Sequence, residues 1–221
     1  MHGIIDMKNL EQIYDELAFK YDRDYSDKKI QAENEFLKAM IPYKFGSILD
    51  AGCGTGLLMD LVNIKPSDYT GIDISTNMLA VAKKKYPKYK FKKQDFFDHK
   101  RKHDCVISLF GIPDHCGIDT AVDHSYDLLN ERGLYVSTFI NANGPYKKLK
   151  CFDANGYDQT FNAYSVSQIN QKLQEKGFAW YYILGIANIK ECTDVQNTAN
   201  QLINDRHKLR HCKYYFVMAE K

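Results

Sequence analysis

The residues best placed for chemistry lie in one stretch, Ser47-Ile-Leu-Asp50-Ala-Gly52-Cys-Gly54-Thr-Gly56-Leu-Leu. The apolar pair Ile48 and Leu49 ends on a carboxylate, and three glycines follow at a spacing of two. This pattern reads as a buried strand, a turn and a helix start. Glycine tolerates positive φ and lets a ligand approach with no Cβ in the way. Free N–H groups at the helix start then await an acceptor. A dinucleotide-binding turn wants G-x-G-x-x-G. Read from Gly52 that demands glycine at 57, where the chain has Leu57. The carboxylate of Asp50 suits a ligand with a cationic amino group better than one with two phosphates. A second apolar segment ends on Asp73, 23 positions after Asp50. An acid at about that distance holds ribose hydroxyls in α/β nucleotide sites. Further on, Gly111-Ile-Pro-Asp114-His115 offers a carboxyl and an imidazole for proton transfer.

Strand, acid, glycine triplet and helix together resemble the D/E-x-G-x-G-x-G signature of class I S-adenosylmethionine-dependent methyltransferases. The stretch Gly71-Ile-Asp73-Ile74-Ser-x-x-Met78-Leu is similar to the same family, as is Gln94-Asp95-Phe96. The string Tyr14-Asp-Glu-Leu-Ala-Phe-Lys-Tyr21-Asp22 resembles the F/Y-D-x-x-A-x-x-Y-D opening of its small-molecule members. The likeness covers most of 14–140, is looser over 165–220 and fails over 141–164. It implies S-adenosyl-L-methionine as cofactor and S-adenosyl-L-homocysteine as product. By that resemblance Gly52, Gly54 and Gly56 make room for the methionyl part, and Asp50 orients its amino group. Asp73 accepts the ribose hydroxyls, and Ile74 belongs to the same cofactor motif. Asp95 accepts from the adenine amino group, with the Phe96 backbone beside the ring and Met78 packed on it. Leu109 offers backbone contacts, and Tyr21 reaches the cofactor from a segment that folds over it.

The elements that would position these residues follow from periodicity. Apolar residues at helical spacing over 7–25, and again over 28–41 before Pro42, predict two N-terminal helices. Strands are expected at 47–51, 69–74, 89–94, 104–110 and 134–140, and helices at 56–64, 76–85 and 119–130, with a loop at 111–117. The alternation implies βαβ units and a parallel sheet with right-handed crossovers. A helix at 165–176, a strand at 178–189, a helix near 194–208 and a strand at 212–220 follow. The family resemblance implies that the seventh strand is antiparallel. The expected class is therefore α/β, a doubly wound, seven-stranded, mostly parallel sheet of the Rossmann-like methyltransferase kind. Residues 1–42 would form an N-terminal helical lid and 141–164 an insertion after strand five. That insertion is rich in Asn, Gly and aromatics and shows no clear period. With the first helix it is expected to roof the site, which makes Tyr14, Tyr25 and Tyr146 candidate substrate contacts.

Length and composition bound the rest. The 221 residues, 44% of them hydrophobic, fit a single α/β domain over 1–221. A formal charge of +2 gives no polyanion-binding footprint. The six cysteines form no C-x-x-C pair, so zinc and thioredoxin readings lack support, and no metal site is expected. Cys53 and Cys105 read as small core residues. No cationic leader with an apolar core opens the chain, and no apolar run approaches the roughly 18 residues of a membrane span. A reducing cytoplasm is the expected setting.

The expected activity is transfer of a methyl group to an O, N or C nucleophile of a small molecule, with Asp114 and His115 as candidate bases. His99 and His103 precede strand four, at the wrong edge, and are set aside. Asn143-Gly-Pro-Tyr146 is similar to the N-P-P-Y of amino-group nucleic-acid methyltransferases, but it has Gly for the first Pro and follows strand five. Cys116 lacks the Pro-Cys context of a covalent cytosine mechanism. An RNA or protein methyltransferase is the second reading, and a non-catalytic binding module of the same fold the third. The intact turn with Asp73 and Asp95 speaks against the last. Partners are expected to be a small molecule, with nucleic acid disfavoured and no membrane. Monomer and homodimer stay open.

Overall fold

The computed structural model describes residues 7–24, 28–42, 45–144, 150–152, 158–186 and 212–221. Its centre is β1 (Ile48–Ala51), buried at every position, as a strand covered on both faces must be. Alternation sends Ile48 into one apolar cluster and Leu49 and Ala51 into another. β2 (Tyr69–Asp73) and β4 (His103–Ser108) flank it in parallel, with Ile48 opposite Tyr69 on one side and Cys105 on the other. β3 (Phe91–Lys93) pairs β2, and β5 (Leu129–Ile140) pairs β4. A separate antiparallel pair is made by β6 (Lys150–Phe152) and β7 (Asp158–Thr160). β8 (Trp180–Ile186) and β9 (Tyr214–Glu220) complete the main sheet, whose order is β3-β2-β1-β4-β5-β9-β8. β9 runs antiparallel between β5 and β8, as the family resemblance implied.

The helices are α1 (Met7–Asp24), α2 (Lys28–Met40), α3 (Leu57–Leu61), α4 (Thr76–Lys85), α5 (Ile112–His115), α6 (Ile118–Asp127) and α7 (Val166–Lys176). Leu37, Leu58 and Leu79 place α2, α3 and α4 over one face, and Val122 and Leu173 place α6 and α7 over the other. Each such buried side chain contributes about 1.5–3 kcal/mol. The strand order turns around between β1 and β4, and that switch opens a crevice at their carboxyl ends.

Four sequence expectations need correction. The helix after β1 stops at Leu61, because Val62 is extended at φ −135° and Pro66 follows. The expected loop at 111–117 contains the single turn α5. β5 begins five residues early, and the expected turn survives inside it as Arg132 at φ 60° with a register shift opposite His103 and Cys105. Residues 141–164 are not without regular structure: they hold β6, β7 and a bridge between Asn141 and Tyr164. Tyr25, Tyr146 and the helix expected near 194–208 lie outside the described residues. His99 and His103 sit at the amino end of β4, with their Nε2 atoms 3.0 Å apart.

Candidate active site at the switch point

The glycine turn is closed by backbone bonds. Gly52 and Cys53 both donate to the Ile72 carbonyl, at 2.9 and 3.0 Å. Gly54 N–H donates to Asp73 Oδ2 and Ser75 N–H to Asp73 Oδ1, each at 2.9 Å. The Asp73 carboxylate is thereby held rigidly beside the turn. Burial pushes its pKa up, and these amides oppose the rise. Gly54 has φ 51°, and a Cβ built there would meet no atom within 4 Å. Its bare side therefore faces open space in the crevice. Gly56 differs: a Cβ there would lie 2.8 Å from the Tyr86 ring, so this glycine serves packing against α4's end.

One cavity occupies the crevice. Gly52, Gly54, Asp73 and Ile74 line it from the ends of β1 and β2, Met78 from α4, and Asp95 and Phe96 from the segment after β3. Leu109 and Tyr21 line it as well. Asp95 Oδ1 accepts from Phe97 N–H at 2.9 Å, and His124 Nε2 lies 3.0 Å from the Phe96 carbonyl, which pins that wall.

Asp50 and Gly56 do not line the cavity. Asp50 shares its strand face with Ile48, and Tyr69 Oη donates to its Oδ2 at 2.8 Å. Burial pushes the Asp50 carboxyl up to about 7, and the neighbouring charge of Asp73 adds to the rise.

α5 brings the two acid–base candidates into the site. Ser108 Oγ donates to the Ala51 carbonyl and accepts from Ile112 N–H, both at 2.9 Å, which ties α5 to the end of β1. His115 is only 8% exposed, so it is not a surface loop residue. Its Nε2 lies 2.8 Å from Tyr14 Oη, and its ring packs 5.1 Å from that of Phe161. Burial lowers its pKa to about 4, so it is neutral at physiological pH. Asp114 is 3% exposed and lines a second cavity of about 370 Å³. Among the described residues its Oδ1 has no hydrogen-bond partner, and burial holds its pKa well above the usual carboxylate range. Tyr14, Tyr21, Thr55, Leu57 and Phe110 line both cavities. Of the three candidate substrate tyrosines, the structure thus places Tyr14.

Three acids of α1 fasten it to the sheet domain. Glu11 pairs with Lys93 at 2.5 Å. Asp15 Oδ1 accepts from Ser75 Oγ and Asn77 N–H, at 2.6 and 2.9 Å, and so caps α4 from outside. Asp22 accepts from Thr55 Oγ1 and Lys85 Nζ, at 2.5 and 2.8 Å.

Several wall residues carry no sequence signal. Phe110 takes φ 52°, a conformation uncommon for an aromatic residue, and its N–H donates to Thr138 Oγ1 at 2.6 Å. Glu33 of α2 forms a buried ion pair with Lys213 and faces the second cavity. Cys116 lines the first cavity, with its thiol pushed up to about 12 by burial, so it stays protonated.

Residues 48–133 match a methyltransferase-domain family model. An uncharacterised methyltransferase of Bacillus cytotoxicus is 27% identical over 68% of this chain and 77% of its own. The chain is an S-adenosylmethionine-dependent methyltransferase. An uncharacterised protein of Methanocaldococcus jannaschii is 28% identical to this methyltransferase over 80% of its chain and 78% of the relative's. The methyltransferase's fold is shared by a solved protein of Thermotoga maritima described as a possible histamine N-methyltransferase. The two agree at a TM-score of 0.70 with 15% identity, over 96% and 99% of their chains. Within the matched segment lie the methyltransferase's glycine turn, Asp73, Asp95 and α5. Among the described residues no helix is long and apolar enough to cross a membrane, and no cluster of His, Cys, Asp and Glu could hold a metal ion.

Proposed function

We propose that this enzyme carries a methyl group from S-adenosylmethionine, held in the first cavity, to a small-molecule nucleophile held in the second. The observation that carries the reading is the shared wall: five residues border both cavities, and His115 and Asp114, adjacent in α5, line one each. The open space at Gly54 and the carboxylates of Asp73 and Asp95 fit the group. Gly52 and Gly54 would leave room for its methionyl part, Asp73 would accept from its ribose hydroxyls and Asp95 from its adenine amino group. Ile74, Met78, Phe96 and Leu109 would supply apolar walls, and Tyr21 would close over them. Bound there, the sulfonium supplies an electrophilic methyl whose leaving group is neutral. The protein's part is then to align and to exclude water, which can supply most of the barrier reduction. Where the nucleophile must lose a proton, His115 or Asp114 would take it. α1 and the insertion would act as a lid over both cavities.

The size of the second cavity falls in the range of small-molecule sites, roughly 300–1,000 Å³. Its wall carries Asp22, Glu33, Asp60 and Asp114 against the single lysine Lys85 among the described residues. That balance favours a small molecule over RNA. The test is ligand-dependent stability. S-adenosylhomocysteine at about 100 times its Kd should add roughly 2.7 kcal/mol, and NAD none. No shift at millimolar S-adenosylhomocysteine would sink the reading.

A further inference from the structure

We infer that the methyl acceptor is an amine carried on an aromatic or apolar body, with Asp114 as its anchor and proton acceptor. The inference rests on the methyl-transfer reading above and names its substrate class.

Asp114 is the buried group in the second cavity's wall that the fold leaves incomplete. Its Oδ1 is buried and has no hydrogen-bond partner among the described residues. A buried polar atom without a partner costs about 1–3 kcal/mol. A ligand N–H that reaches Oδ1 recovers that cost on binding, whereas an acceptor-only group cannot.

The surrounding charge points the same way. Glu33 is neutralised by Lys213, and Lys85 is paired with Asp22. Lys85 also lies 3.7 Å from Asp60, so one ammonium faces two carboxylates and the wall is negative before Asp114 is counted. An anionic acceptor would meet repulsion in a site where little water screens it. The rings of Tyr14, Phe110, Phe161 and Tyr214 line the same cavity. They offer faces to a cation and to an aromatic body alike.

The proton balance also suits an amine. An ammonium and the Asp114 carboxylate form a net-neutral pair. In a poorly solvated wall the neutral amine and carboxylic acid are favoured over two charges. One proton moves from the ammonium nitrogen to Asp114, and this frees the nitrogen lone pair. The lone pair forms the new N–C bond as the donor's C–S bond breaks with its electron pair on sulfur. The methylated ammonium and Asp114 each return a proton to solvent, and no oxidant or reductant is required.

The experiment pairs amines with matched alcohols and carboxylates: phenethylamine, 2-phenylethanol and 3-phenylpropionate, and the same three heads on butyl and indolylethyl bodies. Methyl transfer is followed with labelled S-adenosylmethionine. Binding is followed by calorimetry on enzyme saturated with S-adenosylhomocysteine. The expected result is methylation confined to amines, with a preference of at least hundredfold over the matched alcohol. Asp114→Asn should cut kcat/KM for the best amine by at least hundredfold and weaken its binding at least tenfold. Its affinity for S-adenosylhomocysteine should stay within threefold. If that variant fails to fold, the wild-type panel still decides. An alcohol or carboxylate used as well as its amine overturns the inference. So does an enzyme that binds S-adenosylhomocysteine and methylates no amine in the set, and that result leaves the methyl-transfer reading standing. Failure to bind S-adenosylhomocysteine at all strikes down both.

Discussion

Tyr14 Oη and His115 Nε2 lie 2.8 Å apart across 101 positions of sequence, joining the helix ahead of the sheet to the turn that follows β4. The contact makes the state of α1 and the orientation of the imidazole one variable.

Tyr14→Phe should therefore slow turnover without emptying the cofactor cavity. Loss of the hydroxyl leaves a buried nitrogen unpaired, at a cost of about 1–3 kcal/mol. That corresponds to roughly 5- to 150-fold in kcat, with S-adenosylhomocysteine affinity within threefold. The pH profile adds a readout that packing alone would not move. Burial lowers the His115 pKa to about 4, and only the neutral form can accept a proton. With His115 as base, kcat in the wild type should stay level down to about pH 5 and fall below it. Its acid limb should shift in Tyr14→Phe. A limb near pH 6.5 in the wild type would exclude His115 as the group observed.

Gly54→Val should abolish S-adenosylhomocysteine binding while the protein stays folded. The new side chain enters open crevice rather than protein, since a Cβ at 54 meets nothing within 4 Å. The left-handed backbone costs about 1–2 kcal/mol for a side chain there. Calorimetry and a melting curve on the same sample separate the two effects, and normal binding would show that the ligand lies elsewhere.

Asp50 should make stability depend on pH in a defined direction. Burial raises its pKa from 3.8 to about 7 in the folded state. Below about pH 4 the carboxyl is protonated in both folded and unfolded chains. Between about 4 and 7 the unfolded chain ionises and the folded one resists, so stability falls as pH rises. The fall ends above about 7 and totals on the order of 4 kcal/mol at 1.36 kcal/mol per unit. Asp50→Asn should lack this slope. Chemical denaturation of both proteins at pH 4.5, 6 and 8 measures the difference, and parallel curves would contradict it.

Replacing 146–161 by a short Gly/Ser linker should leave S-adenosylhomocysteine affinity within about tenfold, or 1.4 kcal/mol, and abolish turnover. The far end of this segment places Phe161 against His115, and Asn162 N–H donates to the Asp114 carbonyl at 2.8 Å. Hydrogen exchange over 7–24 and 158–164 should also slow when product and acceptor are both bound. A folded deletion variant with normal turnover would show that the insertion is no lid.

The sheet was legible in the sequence because β1, β2 and β4 are buried on both faces and read as plain apolar runs ended by polar residues. The cofactor side of the site was legible for the same reason: Asp73, Asp95 and the glycines sit where those runs stop. The orientation of Asp50 was not, since it is set by Tyr69 across the neighbouring strand. Nor was α5, where four residues with an early proline read as a turn. The left-handed Phe110 has no local cue, because it is held by Thr138 of another strand. Asp15 and Asp22 stood in plain view at the family's opening motif. Their work as fasteners depends on Ser75, Asn77 and Thr55, which only tertiary structure brings near.

The position of β9 bears on how the chain reaches its native state. Among the described residues β8 pairs with the main sheet only through β9, which is made later and slots between β5 and β8. Until Tyr214–Glu220 is in place, β5 and β8 each show an open edge, and β8 carries Trp180 and Tyr182 on its surface. Open edges of that kind recruit strands from other molecules. A chain cut before Tyr214 should therefore gather into aggregates, even though every residue that borders the first cavity has already been made. Slow insertion of this one strand, a non-local pairing on both of its sides, is the step at which crowding by unfinished copies would do most harm.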